Sequence, residues 1–247
     1  MTFVNQLNAE QRRKNNINIA QSAKVSDTVI IYNDVIIEDD VVIHDFVVIY
    51  PGAIIKKETE IYDHCTIGKL PTSPGSTART YSSEYGKTII GERCILCPGV
   101  VIYTGTEIGH NNLLGDNCSI REKCVIGDYD IISRNVSVNY ETKIGSYTKI
   151  MDNTHITGNM IIGDHVFISV MVSSTNDNSM GRDENATEEL SGPVVEDYVT
   201  IGASAALLPS VHIGLNAIVG ASALVTKDVP ANKVVMGVPA KVVRDVK

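Results

Sequence analysis

An aliphatic residue returns at every sixth position along most of this chain, and that period restricts the fold more than any other feature. From Ile19 it falls on Val25, Ile31, Ile37, Ile43, Ile49, Ile55, Ile61 and Ile67. After a break it runs without exception from Ile90 to Ile168, and after a second break it falls on Val195, Ile201, Leu207, Ile213, Val219 and Val225. Neither a helical period of 3.6 nor a simple strand period of 2 makes a strict six, whereas a coil of short strands joined by corners, one of each per hexad, does. With the aliphatic residue as position one, position five is small or β-branched in nearly every repeat, as at Val35, Ala53, Thr142, Thr148 and Ala205. Alternation along a strand turns positions one and five to the same inner side. Three hexads close one triangular coil, so the 29 hexads of the sequence predict an all-β parallel β-helix of about ten coils, stacked ~4.8 Å apart.

The rest of the composition fits a narrow core. Of the 247 residues none is Trp and three are Phe. The five cysteines, an odd number read as holding no C-x-x-C pair, suggest neither a disulfide framework nor a thiolate metal site. Cys65, Cys94, Cys118 and Cys124 fall at position five, which reads as small buried filler. Position two is often Gly, as at Gly91, Gly109, Gly115 and Gly127, and a residue without Cβ suits a tight corner where φ is positive. A net charge of -8 argues against nucleic-acid binding. No apolar run reaches the ~18 residues of a membrane span, and the N-terminus carries no signal-peptide core, so the expected location is cytoplasmic. Residues 1–18 read as a short helical cap, with Asn8 the N-cap before Ala9 to Lys14; 19–230 form the β-helix; 231–247 form a C-terminal extension closing the other end. Loop insertions at 69–88 and 174–194 are too long for corners and are places to look for function.

The [LIV]-G-x-x-[small]-x repeat, followed by V-M-G-V-P-A-K-V-V-R at 235–244, resembles the left-handed β-helix acyltransferases of the hexapeptide-transferase superfamily. The resemblance supplies the left hand, a homotrimer with active sites between subunits, and acyl-coenzyme A as cosubstrate. The segments L-G-D-N-C-S-I-R-E at 114–122, K-I-M-D-N-T-H-I-T-G-N at 149–159 and S-T-N-D-N at 174–178 look most like the bacterial nucleotide-sugar N-acyltransferases. These act on dTDP- or UDP-linked amino-deoxysugars for surface polysaccharides. The expected acceptor is therefore an amino-deoxysugar, dTDP-linked, taking an acetyl or short hydroxyacyl group. The alternatives are an O-acetyltransferase acting on a sugar hydroxyl and a γ-class carbonic anhydrase, whose histidine spacing His110, His155 and His165 do not match.

Acyl transfer from a thioester needs a neutral nucleophile and a group that takes its proton. His155 lies between inward Thr154 and Ile156, so it points out of the coil; His212 is also outward, and polar company selects His155. Asp152, Asn153 and Asn159 flank it, and Asn135, Ser137 and Glu141 stand eighteen residues before Asn153, His155 and Asn159. Glu141, Asp152 and Asn159 are candidates to hold the amino group, with Asn135 and Asn153 as substrate contacts. Asn117, Asn135 and Asn153 also read as a plain corner ladder of left-handed residues. Arg79, Tyr81, Tyr85, Arg121 and Arg134 are candidates for the pyrophosphate or base of a nucleotide. By analogy with the family, the backbone of Gly202, Ala203, Ser204 and Ala205 would meet the pantetheine of coenzyme A, and Lys227, Lys241 and Arg244 its phosphates. No metal is expected.

Overall fold

A computed structural model describes residues 15–75, 81–179 and 190–247. These carry thirty-two strands, numbered β1 (Asn18–Ile19) to β32 (Lys241–Asp245) in chain order, most of them two residues long. Every third strand pairs in parallel with its predecessor, giving three ladders of ten, twelve and ten strands. We call the ladders beginning with β1, β2 (Lys24–Val25) and β3 (Ile30–Ile31) faces one, two and three. The result is a parallel β-solenoid of about eleven turns, one more than the ten counted from the repeat. The extra turn comes from the expected extension: β31 (Lys233–Met236) adds a parallel rung to face two beside β29 (Ile218–Val219), and only β32 folds back antiparallel. No α-helix occurs among the described residues, and none is long and apolar enough to cross a membrane. The predicted helix at 9–14 lies outside the described residues. The boundary at 18 moves, because Asn18 already pairs with Ile36 in the first rung.

The register explains the period. Asn18 stands opposite Ile36, Lys24 opposite Val42 and Ile30 opposite Val48, eighteen residues apart in each case. Each hexad position therefore stacks on its own kind. Position one forms a buried aliphatic column on every face: Ile37, Ile55, Ile90 and Ile126 on face one are at most 2% exposed. At the corners the chain turns at position four, where residue after residue has positive φ: Asn117 at 57°, Asn135 at 55°, Glu141 at 56°, Asn153 at 59° and Asn159 at 60°. Asn and Asp tolerate this region best among side-chain-bearing residues, and local hydrogen bonds repay part of the cost.

The glycines at position two have a different cause from the one expected. Most of them have ordinary φ; what forbids a side chain there is the next coil. A Cβ on Gly91 would lie 2.1 Å from the carbonyl oxygen of Gly109, and one on Gly109 would lie 2.5 Å from that of Gly127. These neighbours are backbone and have no room to yield.

Position five solves a hydrogen-bonding problem. A corner buries backbone carbonyls that strand pairing does not use. The Thr59 hydroxyl donates to Gly91 O at 2.7 Å, that of Thr106 to Arg121 O at 2.8 Å, and that of Thr142 to Thr157 O at 3.0 Å. Each target is the position-two carbonyl of the next coil. Cysteine does the same with sulfur: Cys94 Sγ reaches Gly109 O at 3.1 Å and Cys124 Sγ reaches Asn139 O at 3.0 Å. Burial pushes the Cys94 thiol up to about 11 and those of Cys65 and Cys124 to about 12, so they stay protonated and unreactive. The cysteine count alone overlooks a C-x-x-C pair, Cys94 and Cys97. The hexad parts them, since Cys94 is inward at position five and Cys97 stands at position two of the following corner, and both are free thiols.

The close approach at position two gives a direct test of the packing. Gly91→Ala is expected to lower stability by about 1–3 kcal/mol through overpacking, read as a lower Tm in thermal unfolding, although alanine is ordinarily the better residue at negative φ. An unchanged or raised Tm would show that the coils are not in this contact.

Candidate functional site

Both insertions leave the solenoid from one edge. The first joins β9 (Thr66–Lys69) on face three to β10 (Thr88–Ile90) on face one, and the second joins β24 (Ser173–Ser174) on face three to β25 (Val194–Val195) on face one. An excursion at a corner leaves every ladder paired on both sides of it. The described part of the first insertion folds back on the edge between faces three and one. There it encloses a cleft of about 260 Å³ whose lining includes Tyr81, Tyr85, Thr104, Glu122, Lys123 and Glu141. Gly86 is tied down by the Thr104 hydroxyl, which accepts from its N–H at 2.9 Å and donates to its carbonyl at 3.1 Å.

Three of the predicted substrate contacts, Tyr81, Tyr85 and Arg121, meet at this edge together with Glu141. The Arg121 guanidinium donates to both carboxylate oxygens of Glu122, at 2.7 and 3.2 Å, and lies 4.8 Å from the centre of the Tyr103 ring and 5.7 Å from that of Tyr81. Lys69 Nζ approaches Tyr103 at 5.5 Å, so the Tyr103 ring is stacked with a cation from the coil before it and another from the coil after. Lys123 pairs with Glu141 at 3.4 Å. Glu122, Tyr103 and Lys69 were not legible as site residues. Glu122 is 5% exposed, although position three of a corner ordinarily faces water; it lines the cleft beneath the insertion and is paired with Arg121. Arg79 lies outside the described residues.

His155 stands on face three, in β21 (His155–Ile156), in a column with Ser137 before it and Ser173 after it. Its Nδ1 is 2.8 Å from the Ser137 hydroxyl, and no hydrogen bond to Nε2 is found among the described residues. The main chain around it is held firmly: the Ser174 hydroxyl donates to His155 O at 3.1 Å and accepts from Thr157 N–H at 2.9 Å. The side chain is exposed on the face, but partial burial of the ring draws its pKa below the ordinary histidine value of 6.5. The imidazole is thus neutral at neutral pH. In the tautomer that donates Nδ1–H to Ser137, Nε2 carries the lone pair outward.

The other polar neighbours do not close around His155. They divide between the two edges that flank face three. Asp152, Asn153, Asn135 and Arg134 belong to the edge between faces two and three. Asp152 accepts from the Ser133 hydroxyl, from Arg134 N–H at 3.2 Å and from the Arg134 guanidinium at 2.5 Å. These donors hold its carboxyl below the usual range. Asn135 Nδ2 donates to Asn153 Oδ1 at 3.2 Å, the corner-ladder arrangement. Glu141 and Asn159 belong to the opposite edge, and Asn159 Nδ2 is engaged with Leu190 O at 3.0 Å. There Asn176 Nδ2 donates to Tyr140 Oη at 3.1 Å and Gly158 O at 3.2 Å, so Asn159 and Asn176 pin the two ends of the second insertion. Gly202 to Ala205 form a corner of the edge between faces two and three, two coils beyond Asn153. Lys241 and Arg244 lie exposed on β32 at the end of face two, while Lys227 lies beyond β30 (Leu224–Val225) towards the other edge. Among the described residues no three His, Cys, Asp or Glu side chains gather as metal ligands would.

Nuclear magnetic resonance titration of the histidines checks the electrostatics directly. His155 is expected to titrate below 6.5, the unperturbed value, and Ser137→Ala is expected to change its Nδ1/Nε2 tautomer balance. An ordinary titration midpoint that the Ser137 change leaves untouched, tautomers included, would remove the basis for assigning His155 a special state.

Comparison with known proteins places this geometry. The profile of the bacterial transferase hexapeptide family (six repeats) matches residues 34–69. A 2,3,4,5-tetrahydropyridine-2,6-dicarboxylate N-acetyltransferase of Staphylococcus aureus is 55% identical over 51 residues, 21% of this chain and 21% of that protein. The chain thus spans about a fifth of the length of the curated relatives it matches. The structure of the UDP-N-acetylglucosamine acyltransferase of Arabidopsis superposes with a TM-score of 0.67 at 21% identity, over 92% of this chain and 74% of that one, a likeness of fold. The chain is a hexapeptide-repeat β-solenoid, and its segment 34–69 matches the bacterial transferase hexapeptide family.

Proposed function

We propose that the chain is an acyltransferase that passes an acetyl or short hydroxyacyl group from acyl-coenzyme A to the amino group of a nucleotide-linked amino-deoxysugar, dTDP-linked in the preferred reading. In this reading the coil is left-handed and the working unit is a homotrimer whose neighbouring subunit covers face three. The observation that carries it is His155: an outward, neutral imidazole, fixed at Nδ1 by Ser137, with Nε2 open.

Its position suits the chemistry. One flanking edge holds the aromatic cleft, which ends one coil before His155, and the other leads to the Gly202–Ala205 corner and the cationic C-terminal strand. Acceptor and donor would therefore arrive from opposite sides of the strip that bears the base. The acceptor nitrogen attacks the thioester carbonyl, Nε2 takes the proton that the nitrogen must lose, and the C–S bond breaks as the tetrahedral adduct collapses. The imidazolium then returns its proton to the departing thiolate, giving the amide and free coenzyme A. At 260 Å³ the cleft fits a sugar ring and not a whole nucleotide sugar. The base and diphosphate would then lie outside it, along Tyr103, Lys69 and Arg121.

The test is release of coenzyme A, followed with acetyl and hydroxyacyl thioesters against nucleotide-linked amino sugars and free hydroxylated sugars. Turnover with the amino acceptors is expected, and His155→Ala should cut kcat about a hundred- to ten-thousand-fold. The wild-type rate should fall in acid as His155 gains a proton, with its midpoint below 6.5, the ordinary histidine value. Turnover confined to hydroxyl acceptors would replace N-acylation by O-acylation. His155→Ala within twofold of wild type would remove the assigned base, and no release with any acceptor would overturn the reading.

A further inference from the structure

Away from the site, the edge between faces one and two carries a column of polar side chains inside the core. Asn112, Asp130 and Thr148 occupy position five in three successive coils and are 2%, 1% and 0% exposed. The two outer members use the same pair of hydrogen bonds. Asn112 Oδ1 accepts from the N–H of Asp130 at 2.6 Å, and its Nδ2 donates to Gly127 O at 2.7 Å. Thr148 Oγ1 accepts from the N–H of Val166 at 3.1 Å and donates to Gly163 O at 2.9 Å. Each side chain thus accepts a hydrogen bond from the N–H of the residue eighteen further on and donates one to the carbonyl fifteen further on.

Asp130 between them completes half of this. Its Oδ1 accepts from Thr148 N–H at 2.7 Å. Its Oδ2 is buried without a hydrogen-bond partner. By the repeat, that oxygen stands where Asn112 has its amide nitrogen, and the carbonyl fifteen residues on is that of Gly145. No hydrogen bond to the Gly145 carbonyl is found among the described residues. An ionised carboxylate would set two bare acceptors against each other in a dry interior; the neutral acid turns the same pair into a hydrogen bond.

We propose that Asp130 is a neutral carboxylic acid in the folded protein, donating an Oδ2–H hydrogen bond to the Gly145 carbonyl, and that keeping this one buried proton makes the fold lose stability as the pH rises out of the acid range. Burial also pushes this carboxyl up to about 8, and the charges that bear on it reinforce the effect: Asp128, two residues before it on the same corner, and Asp164, two coils further along that edge. The unfolded chain would release the proton near 3.8, the ordinary carboxyl value. Between that value and the folded one the native state holds a proton that the unfolded state has lost. Stability is therefore greatest in acid and declines as the pH rises, until Asp130 ionises in the folded state as well. The proposal stands apart from the acyltransferase reading, since Asp130 lies on the edge opposite face three. Its effect is read in stability, whereas the acid limb set by His155 is read in the rate.

Asparagine at 130 would supply the missing donor at every pH, as Asn112 does one coil earlier. Thermal unfolding of wild type and Asp130→Asn from pH 5 to pH 9.5 decides the matter. The wild-type Tm is expected to fall across this range relative to that of the variant, whose Tm should equal or exceed it above pH 8. Parallel profiles would overturn the proposal. Should Asp130→Asn fail to fold, the native protein still answers by infrared spectroscopy at pH 7. A protonated-carboxyl stretch that shifts in heavy water and disappears above pH 9 supports the proposal; absence of that band at pH 7 refutes it.

Discussion

The whole molecule depends on one constraint, that outside the two insertions and the last rung each residue lies over the residue eighteen places away. Parallel pairing of two-residue strands fixes this stacking, and each interior column is then built from repeats of a single side-chain role. A two-residue strand has no stability alone, because a pair of hydrogen bonds does not offset the entropy of ordering it. The column does: Ile126, Ile144 and Ile162 pack in one line and each is at most 3% exposed, at roughly 25 cal/mol for every Å² of apolar surface removed from water. Stability is therefore shared between neighbours along the axis, as in other solenoids, and a defect in one coil is felt mainly by the next.

The same constraint governs the polar groups. A corner turns the backbone through a left-handed residue and leaves a carbonyl facing inward. Thr, Cys and Asn at position five each reach across one coil to satisfy it. The core thus holds hydroxyls and thiols because the corners need donors, and a cysteine there is explained by hydrogen bonding as much as by size. On the outside the columns continue as rings: Tyr129, Tyr147, His165 and Tyr198 stack with centroids 4.9–5.0 Å apart and planes within 7° of parallel. Tyr147 and His165 are covered on both faces by their neighbours.

How much of this could be read from residues alone follows from the period. Strict recurrence of Ile and Val gave three faces, inward positions one and five, and an outward His155, since alternation needs only the phase. It did not give the cause of the position-two glycines, because the approach of Gly91 to Gly109 is a contact between coils. It also missed the added rung at Lys233–Met236, where the aliphatic phase slips and Val234 pairs with Ile218 only sixteen residues away. The site was legible in part. Asp152, Asn153, Glu141 and Asn159 are close to His155 or Ser137 in sequence, but a hexad carries the chain around a corner, so neighbours in sequence separate onto different edges. Glu122 and Tyr103 were hidden for the opposite reason: a distant insertion, not the hexad, determines their surroundings.

The edge that carries both insertions follows from counting. Nine strands precede the first excursion and fifteen lie between the two, and both numbers are multiples of three. Each excursion therefore starts from face three at the same corner, and the later one stands five coils from the earlier along one line. The coil that bears His155 falls between them, one coil before the rung that leads into the second insertion. An insertion within a strand would break a ladder, and one at another corner would stand away from this line. Variation in length and sequence of the first insertion can thus reshape the cleft it lines while the stacked columns, and the His155–Ser137 pair they hold, stay as they are.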